Sequence, residues 1–393
     1  MDALMDKETL TQLRISDYLD MIKEIGPVFA ERAAERSETD DFVADNFADL
    51  QERKIFSAMV PHELGGGGVS HSEMCTIVRM IAHYCPSTAL TLSMHQHLIA
   101  ANRFNYHRGN PGQVLLEKVV AGELVLVSTG AGDWLDSSGD MKKVDGGYIL
   151  NAKKGFASGL LAGNIFVTSA AYEDPEEGWQ VLHFPVAKTA EGVSVENSWQ
   201  AMGMRNTGSH TAVFKDVFVP DETVGLKRPR GEYHPVWNVI LTVALPLIMS
   251  AYVGIAEAAA DIVKAGANNR PKNHKLDGHL PYLLGEMENS LATAQVMHQA
   301  MVDIANDFEF TPSTQMANDV LIRKTVVGNA VIETTTKAVE LSGGYGYLRR
   351  SPLERLFRDS FASQFHPLHE KKQHVFSGRL AMGLDPVEVP EFD

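Results

Sequence analysis

The stretch LVLVSTGAG, residues 124–132, closes one sequence grammar and opens another. Before it, apolar residues recur at helical spacing through Tyr18, Ile22, Ile25 and Val28, and again over residues 74–101, which predicts helices over residues 1–122. After Leu124, short β-branched runs alternate with turns: GGYILNAKKG at 146–155, NIFVTSAAY at 164–172, WQVLHFPVA at 179–187 and HTAVFKDVFVP at 210–220. Asp145, Gly146 and Gly147 read as a hairpin-type turn before a strand. Residues 123–225 are therefore expected to form a β domain, a small barrel or a pair of sheets. Beyond the polar stretch LKRPRGEYHP at 226–235, long helical patterns return, so residues 226–393 are expected to form a helical bundle. Helices, then strands, then helices specify an α+β fold rather than alternating βαβ units, and no GxGxxG follows a strand to suggest a dinucleotide-binding domain.

A chain of 393 residues exceeds one ordinary core and calls for two or three packed units. Fifty acidic against 35 basic residues give a net charge of −15, a surface that repels phosphate backbones and anionic membranes. Neither nucleic acid nor membrane is expected as a partner. The two cysteines, Cys75 and Cys85, lie in apolar helix-like sequence rather than in a disulfide framework, and MDALMDKETLTQLR has neither signal nor transit pattern, so a cytoplasmic location is expected. No His/Asp/Glu cluster has metal-ligand spacing, and no metal is expected.

Residues 239–255 are almost wholly apolar and approach membrane-span length, but Thr242, Pro246 and Ser250 interrupt them, and Glu257 and Asp261 follow at once. A helix buried among other helices is the better reading. The run from Gly65 to Gly68 lacks the Lys-Ser/Thr of a phosphate loop and reads as a plain connection.

Three motifs occur in order: KKGFASG at 153–159, WQAMGMRNTGSHTAVFKDVFVPDE at 199–222 and LSGGYGYLRRSPLERLFRD at 341–359. With the element order and the length, they resemble the acyl-CoA dehydrogenase superfamily along essentially the whole chain. The resemblance implies a helical N-terminal domain, a middle β-barrel domain and a C-terminal helical bundle, assembled as a homodimer or homotetramer. It also implies a flavin, FAD with FMN as the alternative, and a small-molecule substrate such as a CoA thioester. An electron-transfer flavoprotein or a flavin reductase would be the redox partner.

A flavin ring needs an apolar planar wall and a hydrogen bond near its reactive edge. The resemblance places Phe156 as that wall, Ser158 as the hydroxyl, and Val127, Ser128 and Thr129 along the pyrimidine side. It places Arg270 on the pyrophosphate together with the Gly343-Gly344 turn, while Asn273 and Glu340 stand where Phe and Gln are usual.

The family's dehydrogenases remove an α proton with a carboxylate base. Eight residues beyond Asp359, where most members keep that Glu, stands Pro367, and Ala244 and Leu245 occupy the alternative location. Glu370 is the nearest spare carboxylate. Three residues instead resemble those of the superfamily's flavin-dependent hydroxylases: His97 in SMHQHLIA, Ser158, and His369 in PLHEKK. Such enzymes need hydrogen-bond donors around the flavin ring and a dry pocket. His95 and His97, two apart on a helix, face different ways, so one of them at most points to a ligand. The sequence thus specifies a flavin-dependent oxidoreductase, with dehydrogenation and monooxygenation as alternatives and a flavin-free scaffold as the reading from another class.

Overall fold

The computed structural model describes residues 14–268 and 278–387. Five helices come first: α1 (Ile15–Glu35), α2 (Ala44–Glu52), α3 (His71–Tyr84), α4 (Pro86–His107) and α5 (Gln113–Gly122). The buried stripe of α1 runs through Tyr18, Ile22, Ile25, Phe29 and Ala33. Val28 is exposed, because the 3.6-residue period carries the stripe from Ile25 to Phe29. Ser70 starts α3 with a capping box that includes Glu73, and Pro86 starts α4 at a position where no N–H is needed. The amides of Gly65, Gly66, Gly67 and Gly68 all donate to backbone carbonyls of residues 57–62, which leaves none for a phosphate.

Eight strands follow: β1 (Leu126–Ser128), β2 (Asp140–Val144), β3 (Gly147–Lys154), β4 (Ile165–Asp174), β5 (Gly178–Ala187), β6 (Val193–Glu196), β7 (Thr211–Pro220) and β8 (Leu226–Pro229). They form one mixed sheet in the order β6-β7-β3-β2-β4-β5-β8, with β1 parallel to β4. Asp145 and Gly146 make the β2–β3 turn. Pairing with β5 extends the sheet to Pro229, past residue 225, because Arg228 points inward and is buried.

The rest is helical: α6 (Val236–Asn268), α7 (His279–Ala305), α8 (Thr314–Ser342), α9 (Pro352–Ser360) and α10 (Glu370–Ala381). The apolar residues of α6 pack in the same core as α3, α4, α7 and α8, and 89% of its most apolar window is buried, so helices and not lipid cover it. Ser250 Oγ and His298 Nε2 both reach the carbonyl of Pro246, at 2.8 and 3.0 Å, and pin α7 to α6 inside this core.

Candidate active site at the meeting of α4, the sheet and the 364–369 loop

Helix α4 is buried along nearly its whole length and carries both central histidines. His95 is fully committed. Its Nδ1 accepts from the Leu126 N–H at 2.9 Å, which fixes the proton on Nε2, and Nε2 donates to the Phe56 carbonyl at 2.9 Å. That ring welds α4 to β1. His97 is 7% exposed and its Nδ1 is buried without a hydrogen-bond partner. Burial, opposed by the Ser93 carbonyl one turn back, pushes its pKa down to about 4, so the ring is neutral.

Among the flavin-lining candidates, Phe156 leaves β3 with a positive φ of 57° and is 64% exposed, its ring meeting the edge of Trp199 at 5.9 Å. A large apolar ring held outward in a strained conformation fits a planar ligand that would cover it. Ser158 Oγ lies 2.7 Å from Ser209 Oγ, which continues through Thr207 Oγ1 to the Met204 carbonyl. Gly159 packs directly on Thr91 of α4, so this turn and α4 share one wall. The side chains of Val127 and Thr129 point inward, Thr129 Oγ1 donating to Thr168 Oγ1 at 2.7 Å. They leave chiefly backbone to line a ligand, with Ser128 half-exposed between them. Asp133 and Lys154 form a buried ion pair of 2.5 Å that ties the loop after β1 to the end of β3, just before Phe156. Gly343, with φ 57°, and Gly344 follow α8, and a Cβ on either would meet no atom within 4 Å. This open backbone fits close approach by a ligand. Arg270 and Asn273 lie outside the described residues.

The C-terminal loop departs most from the sequence reading. His369 is exposed, and its Nδ1 caps α10 by accepting from the Lys371 N–H at 3.4 Å. Glu370 opens α10, where its Oε1 meets Lys371 Nζ at 3.2 Å and His374 Nε2 at 3.8 Å. Of the two imidazoles in this loop, His366 is the one within electrostatic reach of His97. Its Nε2 is 2.6 Å from the hydroxyl of Tyr252, a fully buried residue of α6. Burial first, then the charge of Lys324 and the His97 ring, push the His366 pKa down to about 3. Lys324, itself buried, threads its ammonium into this loop and donates to the carbonyls of His366, Leu368 and Gln364 at 2.9, 3.2 and 3.5 Å. Burial pushes its own pKa down to about 8.

Sequence reading passed over Tyr252 and His366 for identifiable reasons. Tyr252 sits inside the apolar stretch weighed as a membrane span, where a phenol reads as one more large core residue. His366 sits beside Pro367, and its significance depends on a tertiary contact between α6 and the loop.

The other two motifs meet each other. Met204 donates its backbone N–H to Asp359 Oδ1 at 2.5 Å, Arg358 Nη1 donates to the Met202 carbonyl at 2.9 Å, and a Cβ on Gly203 would fall 2.2 Å from the Arg358 carbonyl oxygen.

Comparison with known proteins agrees with this architecture. Residues 21–123 match the model of the acyl-CoA dehydrogenase N-terminal domain, and residues 247–371 match that of an acyl-CoA dehydrogenase C-terminal domain. The chain is 24% identical to the short-chain-specific acyl-CoA dehydrogenase of Clostridium acetobutylicum over 92% of its own length and 97% of the relative's. It is 27% identical to the amino sugar nitrososynthase DnmZ of Streptomyces peucetius over 93% of each. The solved structure of KijD3 in complex with FMN and a dTDP-amino-keto sugar superposes with a TM-score of 0.84 at 25% identity, covering 94% of both chains. Flavin is the cofactor of this group, and the exposed Phe156 and the open Gly343-Gly344 backbone suit it. The helical, sheet and helical layers in this order, with both terminal domains matched, make this chain a member of the acyl-CoA dehydrogenase family.

Proposed function

We propose that this chain is a flavin-dependent monooxygenase acting on a small molecule. The observation that carries this reading is that neutral rings stand where a dehydrogenase keeps a carboxylate base. In the family register Pro367 stands at the usual base position, and beside it His366 is bonded to the buried Tyr252. An imidazole whose pKa is held near 3 is too weak a base to take and keep an α proton at neutral pH. The same ring serves well as a fixed, uncharged hydrogen-bonding group.

Bound flavin supplies hydride acceptance in dehydrogenation and oxygen activation in oxygenation. The chain's own part is to shape a dry site. Phe156 would wall the ring, Ser158 and the backbone of residues 127–129 would hold its polar edge, and His97 would present a neutral imidazole to the reacting region. Arg270 and the Gly343-Gly344 backbone would hold the phosphate end. Lys324 keeps the 364–369 loop, and with it His366, in place through main-chain carbonyls. Reduced flavin would come from a separate reductase, and the likeness to nitrososynthases supports a substrate oxidised at nitrogen or another electron-rich atom.

Stopped-flow mixing tests this. Reduced flavin bound to the protein should react with oxygen at least about tenfold more slowly to full reoxidation than free reduced flavin does. Rapid bleaching of the oxidised holoprotein by any of a panel of acyl-CoAs under argon would overturn the reading in favour of dehydrogenation.

A further inference from the structure

Among the described residues two cations, Lys324 and Arg228, are buried with no carboxylate at ion-pair distance. They differ in one respect. Lys324 directs its ammonium at three carbonyls, whereas Arg228 leaves Nη2 buried and unbonded. Arg228 is 1% exposed. Its Nε donates to His183 Nε2 at 3.0 Å and its Nη1 to the Leu135 carbonyl at 2.6 Å. The nearby acids are already engaged, Asp133 with Lys154 and Asp136 with Arg230. A buried guanidinium with an unbonded nitrogen and no counter-ion is costly, and a bound anion would complete it.

The surroundings say what carries the anion. One ring, Trp237 of α6, lies against the guanidinium, and three more continue the cluster from it: Trp134 from the loop after β1, Tyr233 from the connection into α6 and Phe376 from α10. Trp134 lies 5.0 Å from Trp237 and 5.9 Å from Tyr233, and Tyr233 lies 5.4 Å from Phe376, centroid to centroid. Arg228 Cζ is 5.3 Å from the Trp237 ring, and the indole Nε1–H of Trp237 is also buried without a partner. Phe376 is buried, while Trp134, Tyr233 and Trp237 are half-exposed, so the cluster reaches the surface. Two unbonded donors against aromatic walls fit a planar ring bearing an oxyanion, the walls stacking the ring and the donors receiving the oxygen.

We infer that Arg228, Trp134, Tyr233, Trp237 and Phe376 form a recognition site for a planar ring that carries an oxyanion. This ligand is the substrate, or the handle of the substrate, of the reaction proposed above, and that assignment rests on the monooxygenase reading. Two sources share the chemistry: an aromatic carboxylate and a pyrimidine nucleoside diphosphate.

Calorimetric titration of the flavin-loaded full chain separates them, with sodium benzoate and dTDP as probes and with benzamide and inorganic phosphate as the ring and the anion alone. One of the first two should bind saturably below about 1 mM, and both half-probes should bind about tenfold or more weakly. Arg228→Met should weaken the binding by about tenfold or more, and Trp237→Phe, which keeps an aromatic ring but loses the N–H and part of the ring area, should weaken it while the protein stays folded. The site is disproved if neither benzoate nor dTDP binds wild type in the millimolar range, or if both variants bind as wild type does. Binding of either probe by a holoprotein that an acyl-CoA bleaches rapidly under argon removes the monooxygenase reading and leaves the site standing. Oxygenation of a substrate with no anionic group, insensitive to Arg228→Met, does the reverse.

Discussion

Met204 gives its backbone N–H to the carboxylate of Asp359, 155 residues further along the chain, at 2.5 Å. The two stretches that mark the family in sequence, around 199–222 and 341–359, are therefore two halves of one joint between the sheet and the helical bundle. Asp359 is buried, and that burial raises its pKa against the opposing pull of the Met204 amide, Arg355 and Arg358. Asp359→Asn keeps an acceptor oxygen and should leave the urea midpoint near the wild-type value. Asp359→Ala strands the amide and should cost about 1–3 kcal/mol in the same titration.

The loop histidines should separate by function. His366→Ala and His97→Ala should lower product formed per reduced flavin consumed by about 10²-fold and raise peroxide release, the scale of losing one well-placed hydrogen-bonding group. His369→Ala should change that ratio little, since its ring caps α10, and Glu370→Gln should be equally mild. Peroxide and product assays on the four variants, each checked for flavin content, decide the point.

Acid should unfold this protein early. His95, His97 and His298 are held near 4, and His183 and His366 near 3, all chiefly by burial. Their unfolded counterparts titrate near 6.5, so between about 6.5 and 4 the unfolded chain binds more protons, and stability falls as pH falls through that window. The slope approaches roughly 1.4 kcal/mol per pH unit for each such ring. Urea midpoints at pH 7.5, 6 and 5 should drop progressively, and a flat profile would mean that these rings are not buried neutral.

Flavin retention should depend on backbone that the protein itself does not fill. A Cβ at Gly344 meets nothing within 4 Å, so Gly344→Val should leave the urea midpoint within about 0.5 kcal/mol of wild type while weakening flavin binding about tenfold or more. Arg270→Ala should likewise release flavin without unfolding the sheet. Equilibrium dialysis against FAD and FMN reads both variants, and also tells which flavin the chain prefers.

Much of the architecture was legible because it is written in period and punctuation. The shift at Leu124 from 3.6-residue spacing to short β-branched runs marks the sheet, and Asp145-Gly146 marks its first hairpin. The inward turn of Arg228 was not legible, since LKRPRGEYHP reads as a polar connection and only pairing with β5 makes it a strand. The site was legible in part. His97 could be singled out, but the choice between it and His95 needed the Leu126 amide to claim one ring. His366 could not be preferred over His369, because the deciding features are a phenol 114 residues away and a lysine that bonds only to carbonyls, and neither leaves a local pattern.

The cage that Lys324 builds has a consequence for how such proteins are sorted. Its three hydrogen bonds go to main-chain oxygens, so they hold the loop's path while placing no direct demand on the side chains at positions 364, 366 and 368. Beside the joint at Met204 and Asp359, the loop's path is thus held apart from its contents, although Leu368 packs in the core and His366 reaches Tyr252. Signatures drawn from the joint will then pool proteins of opposite chemistry, and the half-dozen residues after Ser363 are the place to divide them.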